Sequence, residues 1–308
     1  MTISDKFENI HMYPHGAKRI AVCLYGCYRT GDYVLPWLKK SLTSTTVQVD
    51  YFCSTRNFDE YRTVAGVKEK LHRTDEELIE KLSILNPISI DILDYDDVAK
   101  FDRARATEKS MADSIMLKQL HEANTGIEYD IVLLARYDTL PEPMPNLANR
   151  LSKIANTMTY KQHYADLITN CRKSWICTYK QRHGLSHSPW ASSMHDYFMY
   201  GSSIAMDLIA LEFLKLAGSP EHSAARNQKR KSGTGLRHIH MTLATVIRQM
   251  DIEILGMPFI NSVIVRPYAD LTLDPTVPDN FEKLRHTFDN EPKWLDYAKQ
   301  IPKDPPSN

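Results

Sequence analysis

Apolar residues fall in short runs along the first half of the chain, and each run ends in polar or charged residues. The most complete is Ile131-Val132-Leu133-Leu134-Ala135, which predicts a strand buried on both faces of a parallel sheet. Arg136 and Asp138 follow it directly, and Pro141 closes the stretch. Residues two apart on an extended chain point to one side, so this cation and carboxylate can address one ligand together. Open α/β sheets bind ligands outside the carboxyl ends of their strands, which is where the pair falls. The alternative is an Arg-Asp ion pair that only closes a surface turn.

The pattern repeats on either side of this run. Arg19 to Gly26 predicts a first strand that enters Gly26-Cys27-Tyr28-Arg29-Thr30-Gly31, and a helix follows with Trp37, Leu38 and Leu42 on its apolar face. A strand, a glycine turn and a helix let backbone amides approach a phosphate. The turn has neither the GxGxxG nor the Walker spacing, so a plain βα turn is the other reading. Its most useful member is Arg29, because a guanidinium can hold a diphosphate with paired bonds. A second strand, Val47 to Cys53, runs into Ser54-Thr55-Arg56-Asn57. A charged helical segment is expected from Asp59 to Leu85, with a helix start at Thr74-Asp75-Glu76-Glu77. Ile88 to Asp94 alternates as a strand does, and Met111, Ile115, Leu117 and Leu120 predict a helix from Thr107 to Asn124 that Gly126 ends. Strands alternating with helices predict an α/β fold with a doubly wound, mostly parallel sheet.

Beyond Pro145 the periodicity changes. Leu147 to Met158 reads as helix, Tyr160 to Tyr179 as mixed, and Gln181 to Pro189 as a polar loop. His195 to Ser203 combines a short aromatic strand with a Gly-Ser-Ser turn, and Ser202 or Ser203 can cap an apolar helix from Ile204 to Leu216. Gly218 to Gly235, rich in Ser, Gly, Lys and Arg, reads as a mobile loop. A helix from His238 to Met250, short strands at Ile252–Leu255 and Val263–Val265, and a Pro-rich, weakly ordered tail complete the expectation.

Charge narrows the classes of function. Lys plus Arg equals Asp plus Glu at 38 each, which argues against a protein built mainly to hold nucleic acid by its phosphates. The one basic run, Arg226 to Lys231, is either a contact for an anionic polymer or a solvated loop. No run approaches the roughly 18 apolar residues of a membrane span, and Met1 to Gly16 shows no signal peptide, so the expected location is cytoplasmic, with no membrane span. The five cysteines contain no CxxC pair, and Cys23 and Cys53 lie in apolar strands as small reduced hydrophobes. His238 and His240, two apart at a helix start, face different sides and make a poor metal pair. Gly201-Ser202-Ser203 lacks the GxSxG frame of a hydrolase nucleophile. His195-Asp196 is more informative. If the second half packs over the sheet's edge, Asp196 stands across the crevice from Asp138, and a cation-holding and an acceptor-handling carboxylate together make a group-transfer site. The other reading is an exposed pair at a strand edge.

Ile20-Ala21-Val22-Cys23-Leu24-Tyr25-Gly26 with Arg29-Thr30, Val49-Asp50-Tyr51-Phe52, Ser110-Met111 with Lys118, Tyr129-Asp130-Ile131-Val132 with Arg136-Tyr137-Asp138, and Asp196-Tyr197-Phe198-Met199-Tyr200-Gly201-Ser202 occur in this order. Together they resemble nucleotide-sugar-dependent glycosyltransferases of the GT-A type, found in bacterial surface-polysaccharide clusters and in viruses. The resemblance spans roughly residues 18–266.

The resemblance implies a GT-A-like, Rossmann-like sheet flanked by helices with a mixed C-terminal acceptor-side region. A polar leader (1–17) would precede a nucleotide-sugar-binding half (18–145), an acceptor-side half (146–267) with the mobile loop 218–235, and the tail (268–308). Gly26 and Arg29 would lie at the nucleotide and its diphosphate, with Thr55 and Arg56 nearby, and Ser114 and Lys118 would face the nucleotide sugar. Arg136-Tyr137-Asp138 would occupy the place of the DxD motif. Asp138 would then bind Mn²⁺ or Mg²⁺, and Arg136 would replace the first acid. Asp196 is the implied acceptor-side residue and general base, while His240 stands near the place where relatives carry an acidic residue. The implied reaction moves a sugar from a UDP-, GDP- or other nucleoside diphosphate sugar to a hydroxyl of a glycan or other acceptor. Two alternatives stay open: a non-catalytic nucleotide-sugar or glycan-binding module on the same scaffold, and transfer to a modified DNA base, for which residues 226–231 are the only hint of nucleic acid.

Overall fold

The computed structural model describes residues 19–62, 68–94, 103–141, 147–153, 175–182, 192–218, 253–256, 262–265 and 269–284. The expected leader, most of the loop 218–235, the helix 238–250 with His240, and the end of the tail lie outside the described residues. In chain order the elements begin with β1 (Arg19–Cys27), α1 (Gly31–Leu42), β2 (Gln48–Arg56), β3 (Phe58–Arg62) and β4 (Lys68–His72). Next come α2 (Asp75–Leu82), β5 (Ser89–Leu93), α3 (Arg103–Thr125), β6 (Ile131–Arg136) and β7 (Thr139–Pro141). The described chain closes with β8 (Trp175–Arg182), β9 (Ser192–Ser202), α4 (Ser203–Gly218), β10 (Glu253–Gly256), β11 (Ser262–Ile264) and α5 (Pro278–Leu284).

The protein is α/β, with a seven-stranded sheet in the order β10-β8-β9-β6-β1-β2-β5. β5, β2, β1 and β6 are mutually parallel, β9 runs against both β6 and β8, and β10 is again parallel to β8. The chain travels outward from β1 to β2 and β5, then returns to the other side of β1 as β6. Crossovers between parallel strands are right-handed, so this reversal of direction sends the connecting helices to opposite faces. The packing agrees. Ile20, Val22 and Leu24 of β1 and Leu133 of β6 meet Leu35 and Leu38 of α1 and Leu78 and Leu82 of α2. The alternate residues Ala21, Cys23, Val132 and Leu134 meet Met111 and Ile115 of α3 and Ile209 and Phe213 of α4. Both faces of β1 and β6 are therefore buried, which is why those strands are apolar without alternation.

Several local expectations change. Residues 59–62 and 68–72 are strands, not helix: β3 and β4 pair antiparallel with Glu60 opposite Lys70 and Arg62 opposite Lys68. A charged stretch has no apolar period to choose helix over strand, and the burial of Phe58 against Ala106 and Leu93 anchors the strand pair instead. The helix begins where the capping residue stands, with Thr74 Oγ1 accepting from the Glu77 amide at 3.1 Å. β9 is eleven residues long, and Gly201 and Ser202 belong to the strand rather than to a turn. The segment 269–284 is not a loose tail. Phe281 and Leu284 of α5 pack with Val263 and Val265 on Val34 of α1 and Leu140 of β7, and Tyr33 Oη donates to the Leu273 carbonyl at 2.6 Å.

Candidate functional site

The strand order reverses between β1 and β6, and a crevice at the carboxyl ends of the strands beside such a reversal is the usual ligand position in open α/β sheets. At its β1 side Gly26 takes φ +93°, and its carbonyl accepts from Thr55 Oγ1 at 3.1 Å. The turn is closed by the Gly31 amide, which donates to the Tyr28 carbonyl at 2.8 Å. A Cβ on residue 31 would stand 2.6 Å from the Tyr28 ring, so glycine is what lets that buried ring lie on the start of α1. Arg29 has φ +43°, a left-handed conformation that costs a non-glycine residue about 1–2 kcal/mol. Outliers of this kind persist where surrounding contacts hold them, and the contact here is an ion pair.

On the β6 side, Tyr25 pairs in register with Arg136, and the chain then alternates. Tyr137 turns into the core beside Tyr28, with ring centroids 5.8 Å apart. Arg29 Nη1 donates to Asp138 Oδ2 at 2.7 Å, and Arg136 Nη2 donates to the same oxygen at 2.6 Å. The carboxylate is 1% exposed, whereas the side chains of Arg29 and Arg136 are 16% and 17% exposed. Asp138 is thus the inner anchor and the guanidiniums are the outer groups. The Asp138 backbone is held too: its carbonyl accepts from the Val265 amide at 2.8 Å, and the Val265 carbonyl accepts from Thr30 Oγ1 at 3.1 Å. Val265 thereby ties the first turn of α1 to the end of β6.

Among the described residues, the side chains bonded to Asp138 Oδ2 are two guanidiniums. Mg²⁺ takes oxygen ligands at about 2.0–2.1 Å and has to be matched by negative charge. Here one carboxylate oxygen already accepts from two cations, and an added ion would stand beside both. Among the described residues, no cluster of three or more His, Cys, Asp or Glu side chains could hold a metal.

The remaining expected site residues divide by position. Thr55 and Arg56 end β2 beside Gly26 and Cys27, but both side chains serve the frame. Thr55 holds the Gly26 carbonyl, and Arg56 Nη2 donates to the Ala106 carbonyl at 2.8 Å and to Ser110 Oγ at 3.0 Å, tying down the first turns of α3. Ser114 and Lys118 do not face the crevice. Ser114 is fully buried and donates to the Met111 carbonyl at 2.9 Å. Lys118, also fully buried, bonds Ser203 Oγ, lies 2.8 Å from both Asp207 and Glu122, and sits at the opposite, amino-terminal edge of β6, where Ser203 meets Asp130. α3 descends antiparallel to the strands, so residues late in it are carried away from the carboxyl edge.

Asp196 is described at the level of the backbone. β9 pairs with β6 as far as Phe198 opposite Ala135, and Asp196 lies two residues before Phe198 on β9, toward the carboxyl end of β6. It lies in an irregular stretch, since the pairing of β9 with β8 shifts from Met199↔Thr178 to Met194↔Lys180. Bulges of this kind re-aim side chains next to functional sites. Val265 and Thr30 were not among the expected site residues, because a backbone bond from Val265 to Asp138, and a threonine hydroxyl whose acceptor carbonyl is 235 residues away, leave no pattern in the sequence.

Among the described residues no helix is long and apolar enough to cross a membrane. No protein-family model matches the chain, and no curated protein matches it in sequence.

Proposed function

We propose that this chain is a GT-A-like glycosyltransferase that moves a sugar from a nucleoside diphosphate sugar to an acceptor hydroxyl. The observation that carries the reading is the convergence of Arg29 and Arg136 on Asp138 at the point where the strand order reverses. What supports the GT-A-like form of the scaffold is the junction of a parallel half, β5-β2-β1-β6, with a mixed half, β9-β8-β10, at the strand that ends in Arg136-Tyr137-Asp138.

In the proposed reaction an acceptor oxygen bonds to the anomeric carbon while the bond from that carbon to the β-phosphate oxygen breaks. The electron pair of the broken bond leaves with the diphosphate, and the acceptor proton passes to a base. Negative charge therefore grows on the diphosphate, and fixed cations at that position lower the barrier. Arg29 and Arg136 are suited to this, because they carry charge at every relevant pH and Asp138 holds them oriented beforehand. Asp196 is the proposed base, on the strength of its backbone position toward the carboxyl end of β6.

The test is release of nucleoside diphosphate from a panel of UDP- and GDP-sugars, comparing the wild type with Arg136→Met and Asp196→Asn. Turnover by the wild type that both substitutions abolish is expected. A folded wild-type protein that binds a donor and never turns it over would instead make it a non-catalytic nucleotide-sugar-binding module. Asp138 favours this second reading to one extent: its carboxylate is already engaged by arginines.

A further inference from the structure

We infer that the chain self-associates through its outer strand β5, which pairs antiparallel with β5 of a second copy about a two-fold axis centred on Ile90. β5 forms one end of the sheet order, beyond β2, and carries none of the residues of the proposed transfer site.

Among the described residues β5 pairs only with β2. At its two ends the Ile88 amide donates to the Tyr51 carbonyl at 2.8 Å, and the Asn57 amide donates to the Leu93 carbonyl at 3.2 Å. The odd-numbered residues of β2 therefore address β5. With Arg56 level with Leu93, that assigns the inward N–H and C=O groups of β5 to Ser89, Asp91 and Leu93. Ile90 and Ile92 turn theirs to the open edge. Such an edge is a template for another strand, and natural proteins guard it with lysine, proline or a bulge. β5 reads Ser-Ile-Asp-Ile-Leu in unbroken register and carries none of these guards. Three isoleucines on the segment that leads into it, Ile79, Ile84 and Ile88, are between 41% and 49% exposed.

Complementarity chooses both the occupant and the register. An antiparallel partner sets an outward-bonding residue opposite another, so the axis between two identical strands passes through Ile90, Asp91 or Ile92. Through Asp91 it places two carboxylates opposite each other, with Cα atoms about 4.5 Å apart. Through Ile92 it places Asp91 opposite the partner's Leu93 and Asp94 opposite the partner's Ile90. Through Ile90 it places Ser89 opposite the partner's Asp91, twice by symmetry, and Ile90 against the partner's Ile90. The serine hydroxyl donates and the carboxylate accepts. Within one copy neither side chain makes a hydrogen bond or ion pair among the described residues, so the second strand completes both. Ile90 and Ile92 are only partly buried against the core, and the partner's isoleucines cover what they leave open.

The experiment is sedimentation velocity over a concentration series on the wild-type chain, Ile90→Pro, Ser89→Asp and Ser89→Lys. The wild type is expected to pass from monomer to dimer as concentration rises. Ile90→Pro removes an amide that points away from β2, so it is expected to abolish the dimer while circular dichroism keeps the wild-type signal. Ser89→Asp sets like charges opposite each other at two symmetric places and is expected to weaken the dimer by about threefold or more, whereas Ser89→Lys is expected to hold it at least as tightly as the wild type. A monomer at every concentration overturns the inference; protection of its Ile90 and Ile92 amides from hydrogen exchange would then mean that another segment of the same chain covers β5. A dimer that survives both Ile90→Pro and Ser89→Asp also overturns it, by placing the contact elsewhere. The two Ser89 variants leave the backbone donors in place, so they decide the matter should Ile90→Pro fail to fold.

Discussion

Arg29 and Asp138, 109 residues apart in sequence, meet at 2.7 Å between Nη1 and Oδ2. The bond joins the turn after β1 to the end of β6, the two strands between which the sheet reverses its order. Because the carboxylate is buried and its partners are not, removing it is worse than removing either arginine. Asp138→Asn leaves two guanidiniums crowded on a neutral amide. The expected loss of stability is about 2–3 kcal/mol, below the ~3–5 of a fully enclosed pair because both arginines reach solvent. Urea unfolding measures it, and Arg136→Met in the same background is expected to restore part of the loss. Unchanged stability in Asp138→Asn would mean that the carboxylate is not the anchor.

Arg29 allows strain and charge to be separated. Its φ of +43° suits glycine, so Arg29→Gly relieves the backbone while losing the guanidinium, and Arg29→Met keeps the strain and loses the charge. Arg29→Gly is expected to be more stable than Arg29→Met by about 1 kcal/mol, and both to bind nucleoside diphosphate weakly. If Arg29→Gly binds as the wild type does, the residue serves the turn alone.

Gly31 is required for a different reason. Its backbone is ordinary, but a Cβ would stand 2.6 Å from Tyr28 Cε2 and Cζ, and that ring is fixed by Tyr137 and by its bond to Asp32 Oδ1 at 3.0 Å. Gly31→Ala is therefore expected to destabilise by about 1–3 kcal/mol despite alanine's better helix propensity, as overpacking does. A thermal melt shows the sign.

These residues also mark how far the sequence could be read. The buried run before Arg136 and the strand-helix alternation were legible because burial on both faces removes polar residues, and the shared side of Arg136 and Asp138 followed from the period of an extended chain. What Asp138 would meet was not legible. The left-handed Arg29 and the Val265 brace depend on contacts more than 100 residues away, and backbone bonds are indifferent to the side chains that form them. Ser114 and Lys118 illustrate a subtler limit. Helical spacing correctly groups them one turn apart, yet it does not say which face meets the sheet or which end of the helix is near the crevice. The pairing of β3 with β4 is not legible because charged residues carry no period at all.

Lys118 yields a prediction that separates the two roles. Lys118→Met removes the cation that Asp207 and Glu122 share, at an expected cost of about 2 kcal/mol, reduced because both acids are partly exposed. Diphosphate affinity is expected to stay at the wild-type value, since the cluster lies at the far edge of the sheet; a large loss of affinity would return Lys118 to the site. The same cluster has a pH signature. Burial raises the Asp207 carboxyl above its ordinary 3.8, with the bonds from Lys118 pulling the other way. An acid whose folded pKa exceeds its unfolded one binds protons more tightly in the native state, so its contribution to stability falls as pH rises from about 4 through the folded pKa. Asp207→Asn is expected to lack that decline, which urea midpoints across the acid range report.

Buried cysteines give a chemical check on the sheet. Cys23 and Cys53 sit on neighbouring strands but on opposite faces, so they cannot pair. Burial pushes the Cys53 thiol up to about 12 and that of Cys23 higher still. Neither is expected to react with a thiol reagent in the native protein at pH 8, and both are expected to react in urea. Native labelling of either peptide, read by mass spectrometry, would contradict the burial.

The C-terminal segment ties stability to the site. Phe281 is 4% exposed and closes a small apolar cluster with Val263, Val265 and Leu284 on Val34 and Leu140. Truncation of a buried phenylalanine costs about 3–5 kcal/mol when the whole core bears it, but a satellite cluster can open by itself while the sheet stays folded. Phe281→Ala is therefore expected to accelerate hydrogen exchange at the Val265 amide, whose acceptor is the Asp138 carbonyl, while amides in β1 and β6 keep their protection. Loosening Val265 releases Thr30 and Asp138 together, so diphosphate affinity is expected to fall although Phe281 itself belongs to the apolar cluster on Val34 and Leu140. Faster exchange at Val265 with undiminished affinity would show that the brace is dispensable for holding the arginines in place.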